Sequence, residues 1–182
     1  MTRGEKPQCI LSIENKVWNK GWYGKQVEIL SCLLKETNGY CAFSYALIDG
    51  EHDDDEIEHF RPKNGKFRNK IFEEKKFSEL YFEWLNLFPI TSKRNKIKGS
   101  RWDERLSKPD VDNYLDFFDF TESDGTLQIK PNLNDYDVKR AEITIKLYGL
   151  NAKQICSIRK TQYKKFLNNR DDKIPFKPLF LN

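Results

Sequence analysis

The stretch EIEHFRPK at residues 56–63, followed by WLNLF at 84–88 and TSKRNKIK at 91–98, carries the reading of this chain. It places a carboxylate and a histidine at the end of an extended segment, an asparagine ahead of a second one, and another asparagine in an opening helix. That is the set metal-assisted phosphodiester hydrolysis requires. An imidazole, with a free pKa of about 6.5, takes a proton from water at neutral pH. One hard divalent cation on oxygen ligands stabilises the charge that builds on the phosphate and the leaving oxygen. Nearby Lys and Arg hold the polyanionic backbone. His59 is then the general base, Glu58 and Asn95 are oxygen ligands, and Asn86 orients the imidazole. Glu56 lies on the same strand face as Glu58, two residues away, and is the weaker ligand choice.

Working outward, charge changes sharply around His59. Residues 51–58 (EHDDDEIE) hold six carboxylates in eight positions, whereas 61–70 (RPKNGKFRNK) hold five basic residues and no acidic one. The acidic run reads as a solvated loop with no role for His52, and the basic run as the loop linking the two extended segments. Residues 78–90 return the chain to the core. The helix within 91–101 is expected to start at a Thr91 or Ser92 cap and to stop at Gly99. Residues 16–38 read as one or two amphipathic helices ended at Asn38-Gly39, and GYCAFSYAL (39–47) as a short strand or hairpin. YLDFFDF (114–120), TESDG (121–125) and TLQIK (126–130) form a second expected hairpin. Residues 135–149 and 152–169 read as two helices, and from Asp135 to Arg170 nine Lys or Arg face three acidic residues.

The 182 residues, 38% hydrophobic and 33% charged, fit one globular domain, or a small domain with an appended helical part, and exclude collagenous, mucin-like and wholly disordered chains. The net charge of +4 decides nothing by itself; the distribution does. No apolar run approaches the roughly 18–20 residues needed to span a bilayer, and the first residues lack a secretory core, so a cytosolic protein without membrane contact is expected. Cys9, Cys32, Cys41 and Cys156 include no CxxC pair. A disulfide framework and an all-thiolate zinc site are both unsupported.

HFRPK after an acidic residue, then W-L-N-L, then N-x-x-K, resembles the HNH endonucleases of the PtuB type, found in the Septu anti-phage system and beside some retrons. The likeness runs over roughly residues 5–165, with GYCAFS (39–44), LDFFDF (115–120) and AEITIKLYGLN (141–151) in matching order. It implies an α+β fold: a small ββα-metal core embedded in helices, with a β-hairpin and a helical C-terminal part. The implied segments are an N-terminal helical one (1–38), the nuclease core (39–106), the hairpin with basic helices (107–170) and a tail (171–182). By resemblance His59 is the base, Asn86 its positioning residue, and Glu58 and Asn95 hold Mg²⁺ or Mn²⁺. Lys63 and Lys98, and more weakly Arg61, contact phosphate. The implied setting is the bacterial cytoplasm. The implied partners are nucleic acid, DNA ahead of RNA or tRNA, an ABC- or SMC-like ATPase of the PtuA type, and in retron contexts a reverse transcriptase with its msDNA.

The chain departs from that family where four zinc-binding cysteines are expected: Cys41, Ser44, Thr91 and Arg94 stand there. One thiolate, two hydroxyls and a guanidinium do not make a tetrahedral zinc site. No structural zinc is expected; packing among Phe43, Tyr45, Trp84, Leu85 and Phe88, with Arg94 in a salt bridge, takes its place. The tail KIPFKPLFLN (173–182) reads as an exposed partner-docking segment. The alternative overall reading is a catalytically silent binding or assembly subunit on the same fold.

Overall fold

The computed structural model describes residues 4–7, 10, 25–48, 55–62, 80, 82–169 and 176–180. The expectations for Lys63, His52, most of the acidic and basic runs and the start of the N-terminal helical segment fall outside them. Within them the protein is α+β, with five helices and two two-stranded antiparallel sheets. The first sheet pairs β1 (Asp55–His59) with β2 (Leu87–Thr91), in a register that sets Ile57 opposite Pro89 and His59 opposite Leu87. β2 leads directly into helix α2 (Ser92–Lys98), preceded by α1 (Gln26–Glu36) earlier in the chain. The second sheet pairs β3 (Phe118–Phe120) with β4 (Leu127–Ile129), and α3 (Asp135–Tyr148), α4 (Lys153–Asn168) and the short α5 (Lys177–Phe180) complete the chain.

The local chemistry explains these boundaries. Thr91 stands at the N-cap of α2 with extended backbone, and Gly99 ends the helix at φ +56°, a left-handed value that disfavours residues with a Cβ. Asn134 caps α3 by accepting from the Asp137 N–H at 2.9 Å, and Gly149 closes it in the left-handed conformation. Inside β2 Pro89 has no N–H to give. The Pro89 carbonyl points away from β1 and accepts from the Ala42 N–H at 3.0 Å, tying residues 40–47 to the sheet.

Those residues form a knuckle, in place of the expected strand. A single bridge pairs Tyr40 with Leu47, the Tyr45 N–H donates to the Cys41 carbonyl, and Tyr45 takes φ +58° to close the turn. Phe43 fills its centre, stacked on Tyr148 with centroids 4.0 Å apart and edge-on to Phe88 at 5.6 Å. Two further expectations for this packing are corrected. Leu85 is exposed, and Trp84 sits in a separate cluster with Ile29, Leu33 and Leu87 beneath α1.

Arg94 does not form a salt bridge. It is buried, and its guanidinium donates to the carbonyls of Tyr148 (3.1 Å) and Gly149 at the C-terminal end of α3. A helix end carries unsatisfied carbonyls and partial negative charge, so the cation meets donor demand and dipole together. This contact joins the ββα unit to the C-terminal helices. A single apolar cluster spans both, taking Phe43, Phe88 and Trp102 from one side and Tyr114, Leu147 and Phe166 from the other.

The C-terminal segment is also corrected. Phe176, Leu179 and Phe180 are buried, the Phe176 N–H donates to the Tyr45 carbonyl at 2.8 Å, and the Phe180 ring packs 5.0 Å from Phe120 and 5.3 Å from Tyr163. Enough complementary aromatic surface exists within the chain to bury these side chains, so they close the core. Replacing Arg94 by Ala removes two hydrogen bonds to the helix end and is expected to lower stability by about 3 kcal/mol, since hydrogen bonds to a charged donor contribute about 1.5–3 kcal/mol each. Arg94→Lys, which keeps the charge but loses the planar fork, should recover part of that. Urea unfolding of the three proteins gives the comparison.

Candidate functional site

Even-numbered residues of β1 bond to β2: the Phe60 N–H donates to the Asn86 carbonyl at 2.9 Å, extending the register in which Glu56 faces Ile90 and Glu58 faces Phe88. Antiparallel ladders alternate, so Asp55, Ile57 and His59 direct their main-chain groups to the edge away from β2. Side chains alternate across the sheet as well. Ile57 packs with the cluster beneath α1, while Glu56 and Glu58 turn to α2.

On α2, Asn95 and Lys98 are three apart and share a face. They meet the two glutamates in order. Asn95 Nδ2 donates to Glu56 Oε2, and Lys98 Nζ pairs with Glu58 Oε1 while also donating to the His59 carbonyl at 3.2 Å. Both members of the second pair are buried, Lys98 wholly. Burial pushes the Glu58 carboxyl above its ordinary range, and the ammonium of Lys98 opposes that shift. Two sequence expectations change here. Lys98 lies in the interior with its charge spent on Glu58, so it is not placed to touch a phosphate from solvent. The Glu58 carboxylate, already holding an ammonium, is not an open cation ligand.

Asn86 is buried at the turn before β2, and its carboxamide reads the main chain beyond His59. Oδ1 accepts from the Arg61 N–H at 2.8 Å, and Nδ2 donates to the carbonyls of Arg61 (3.0 Å) and Leu80 (3.2 Å). A carboxamide presents one acceptor beside two donors, which matches a stretch of backbone as another strand would. Asn86 therefore fixes the chain two residues past His59, where the sequence reading has it orient the ring. Both contacts act on the C-terminal side of His59: Lys98 holds its own carbonyl and Asn86 holds Arg61. Arg61 is exposed, with its guanidinium 5.5 Å from the centre of the Trp102 ring.

A cavity of about 550 Å³ opens over β1 between α1 and α2. His59, Glu56 and Asn95 line it, with Val27 of α1 on the opposite wall and Gly99 and Ser100 at the end of α2. His59, Glu56 and Asn95 are all partly exposed. Asp55 also lines the cavity.

Among the described residues no group of three or more His, Cys, Asp or Glu side chains is arranged to hold a metal ion. The cavity lining offers the Glu56 carboxylate beside the Asn95 carboxamide, with Asp55 and Glu58 also in the lining, and oxygens of this kind suit a hard cation. Mg²⁺ fits such a set, because it keeps several waters and binds through one or two carboxylates plus substrate phosphate. Glu56 is the carboxylate of this lining that meets Asn95, while Glu58 pairs with Lys98. The signal was present in the pattern: two carboxylates at i and i+2 on a strand, facing an Asn and a Lys at i and i+3 on a helix, form two pairs, and the Lys claims one glutamate.

Comparison with protein-family models and with curated proteins finds no match to this chain.

The buried pair has a measurable consequence. Lys98→Met removes the only ion-pair partner recorded for Glu58 among the described residues, and the protein is expected to lose about 3–5 kcal/mol of stability. Adding Glu58→Gln removes the uncompensated charge, so the double variant should unfold at a higher urea concentration than Lys98→Met alone.

Proposed function

We propose that this protein is a metal-dependent endonuclease of the HNH type that hydrolyses phosphodiester bonds of nucleic acid. The observation that carries the reading is that His59, Glu56 and Asn95 line one open cavity of a ββα unit, with the main chain just past the His59 Cα held by buried polar groups. Holding a reacting group in one geometry in advance is what lowers the entropic part of a barrier.

In this mechanism the His59 imidazole accepts a proton from a water molecule. The water oxygen bonds to phosphorus, the bond from phosphorus to the leaving sugar oxygen breaks, and that oxygen takes a proton from solvent. Glu56 and Asn95 hold Mg²⁺ or Mn²⁺, which supplies electrostatic stabilisation of the charge on the scissile phosphate. Lys98 and Asn86 are positioning residues, acting through the backbone of His59 and Arg61. Phosphates are common to DNA and RNA, and contacts to them carry no sequence information. DNA is the first substrate to test and RNA, tRNA included, the second. The sequence resemblance adds an ATPase of the PtuA type as regulatory partner, a reverse transcriptase with msDNA where a retron is present, and a bacterial cytoplasmic setting. Among the described residues, no helix is long and apolar enough to cross a membrane.

One observation favours a second reading, a catalytically silent binding subunit: the carboxylate next to His59 is occupied by an ammonium of the same chain. Cleavage of plasmid DNA and of tRNA with Mg²⁺ or Mn²⁺, with and without the ATPase, separates the two. His59→Ala should cut about 10²–10⁴-fold more slowly with an unchanged unfolding midpoint, the range for loss of a general base. Glu56→Gln and Asn95→Ala should each shift the Mg²⁺ titration to higher concentration. Equal cutting by wild type and His59→Ala would remove the proposed base. Intact substrates under every condition would favour the silent subunit.

A further inference from the structure

Helix α4 carries five basic residues, Lys153, Arg159, Lys160, Lys164 and Lys165, and no carboxylate in its 16 positions. Its inner face is set by Ile155, Cys156, Arg159 and Phe166, all buried against the core. At about 100° per residue, Lys153, Lys160 and Lys164 fall within about 40° of one another, on the side away from that face. All three are exposed. With a rise of about 1.5 Å per residue the stripe is about 16 Å long, with charges about 10 Å and 6 Å apart.

What marks this stripe is that three lysines with no ion pair to a described carboxylate stand in one row on one helix. Several other surface lysines have a carboxylate partner: Lys25 with Glu28 at 2.7 Å, Lys108 with Asp110 at 3.1 Å, Lys130 with Asp119 at 3.6 Å and Lys139 with Glu142 at 2.8 Å. No described carboxylate forms an ion pair with Lys153, Lys160 or Lys164. Asp124, which senses the charge of Lys160, spends its Oδ1 on the N–H and hydroxyl of Thr126 at 2.9 and 2.7 Å. The stripe is also joined to the candidate site through the fold. α4 starts just past Gly149, the residue on which Arg94 of α2 docks and against which Ile97 packs. The exposed and unpaired Lys93 of α2 precedes Arg94, so positive charge continues from the helix bearing Asn95 toward the start of α4.

We infer that the Lys153–Lys160–Lys164 face of α4 is a second contact surface for the phosphate backbone of a nucleic acid, holding a substrate along α4 while its scissile bond lies at the β1–α2 cavity. This rests on the nuclease reading for its choice of ligand. The chemistry recognised is a row of phosphodiesters, which carry about one charge per 3.4 Å along each strand of a duplex. An unneutralised row of ammonium groups attracts such a polymer by releasing its condensed counterions, without reading bases.

The test uses the full chain carrying His59→Ala, so that binding is read without cleavage, and fluorescently labelled duplexes of about 20 base pairs, one DNA and one RNA. In that background the triple variant Lys153→Gln, Lys160→Gln, Lys164→Gln keeps the helix propensity of α4. It should bind at least about tenfold more weakly near 0.1 M salt, and the slope of log affinity against log salt should become shallower by about 2–3, one phosphate contact being worth about 0.9. A control with the same loss of charge elsewhere, Lys35→Gln, Lys130→Gln, Lys139→Gln, should stay within about twofold. The duplex that loses affinity in the stripe variant identifies the polymer the surface serves. Unchanged affinity and slope, or an equal loss in the control, overturns the stripe and leaves the cleavage reading standing if the parent protein with an intact His59 still cuts. Stripe-dependent binding by a protein that cuts nothing supports the surface and sinks the nuclease. No binding of either duplex by the parent overturns both.

Discussion

Burying a lysine and a glutamate together removes two charges from water, and the cost is recovered only when each meets the other in close geometry. Glu58 and Lys98 meet that condition at the seam between β1 and α2. The pair sets Lys98 of α2 against Glu58 of β1 and so fixes which turn of the helix faces that strand. Once Lys98 is placed, its second bond reaches the His59 carbonyl, and Asn95, one helical turn earlier, arrives opposite Glu56. The register of α2 on β1 and the layout of the cavity therefore follow from one contact.

A second polar contact binds this unit to the rest of the molecule. Here Arg94 reaches across to the end of α3 and satisfies two carbonyls that helix geometry leaves open. Phe43 closes the knuckle from inside by stacking on Tyr148, the residue whose carbonyl Arg94 holds. The C-terminal segment then covers the outside through Phe176 and the Tyr45 carbonyl. Three contacts of different chemistry converge on the knuckle, and each adds an interaction that a lone apolar turn of this size would lack.

Charge is sorted in the same way. Several cations around the core pair with carboxylates of the chain, while Lys153, Lys160 and Lys164 of α4 pair with no described carboxylate. A protein stabilised by its own ion pairs gains nothing from such a row, and it bears the self-repulsion that goes with it. An external polyanion relieves that repulsion.

Periodicity and punctuation were enough to place most elements from the sequence. Asn38-Gly39 and Gly99 stop helices, a break at Leu150-Asn151 separates two more, and the alternation in EIEHF and the hairpin around TESDG report strands, because these signals act within a few residues of backbone. The same locality limits what could be read of the site. His59, Asn86 and Asn95 were legible as polar residues at element ends, but which glutamate stays open depended on where the Lys98 ammonium comes to rest. Likewise the partner of Arg94 lies more than fifty residues away, and the burial of Phe176 and Phe180 required knowing that Phe120, Tyr163 and Phe166 gather to receive them. Sequence alone determined the elements and the chemistry available along them. Only the tertiary structure decided which charges neutralise each other, because Coulomb and hydrogen-bond energies depend on distances through space that chain spacing does not encode.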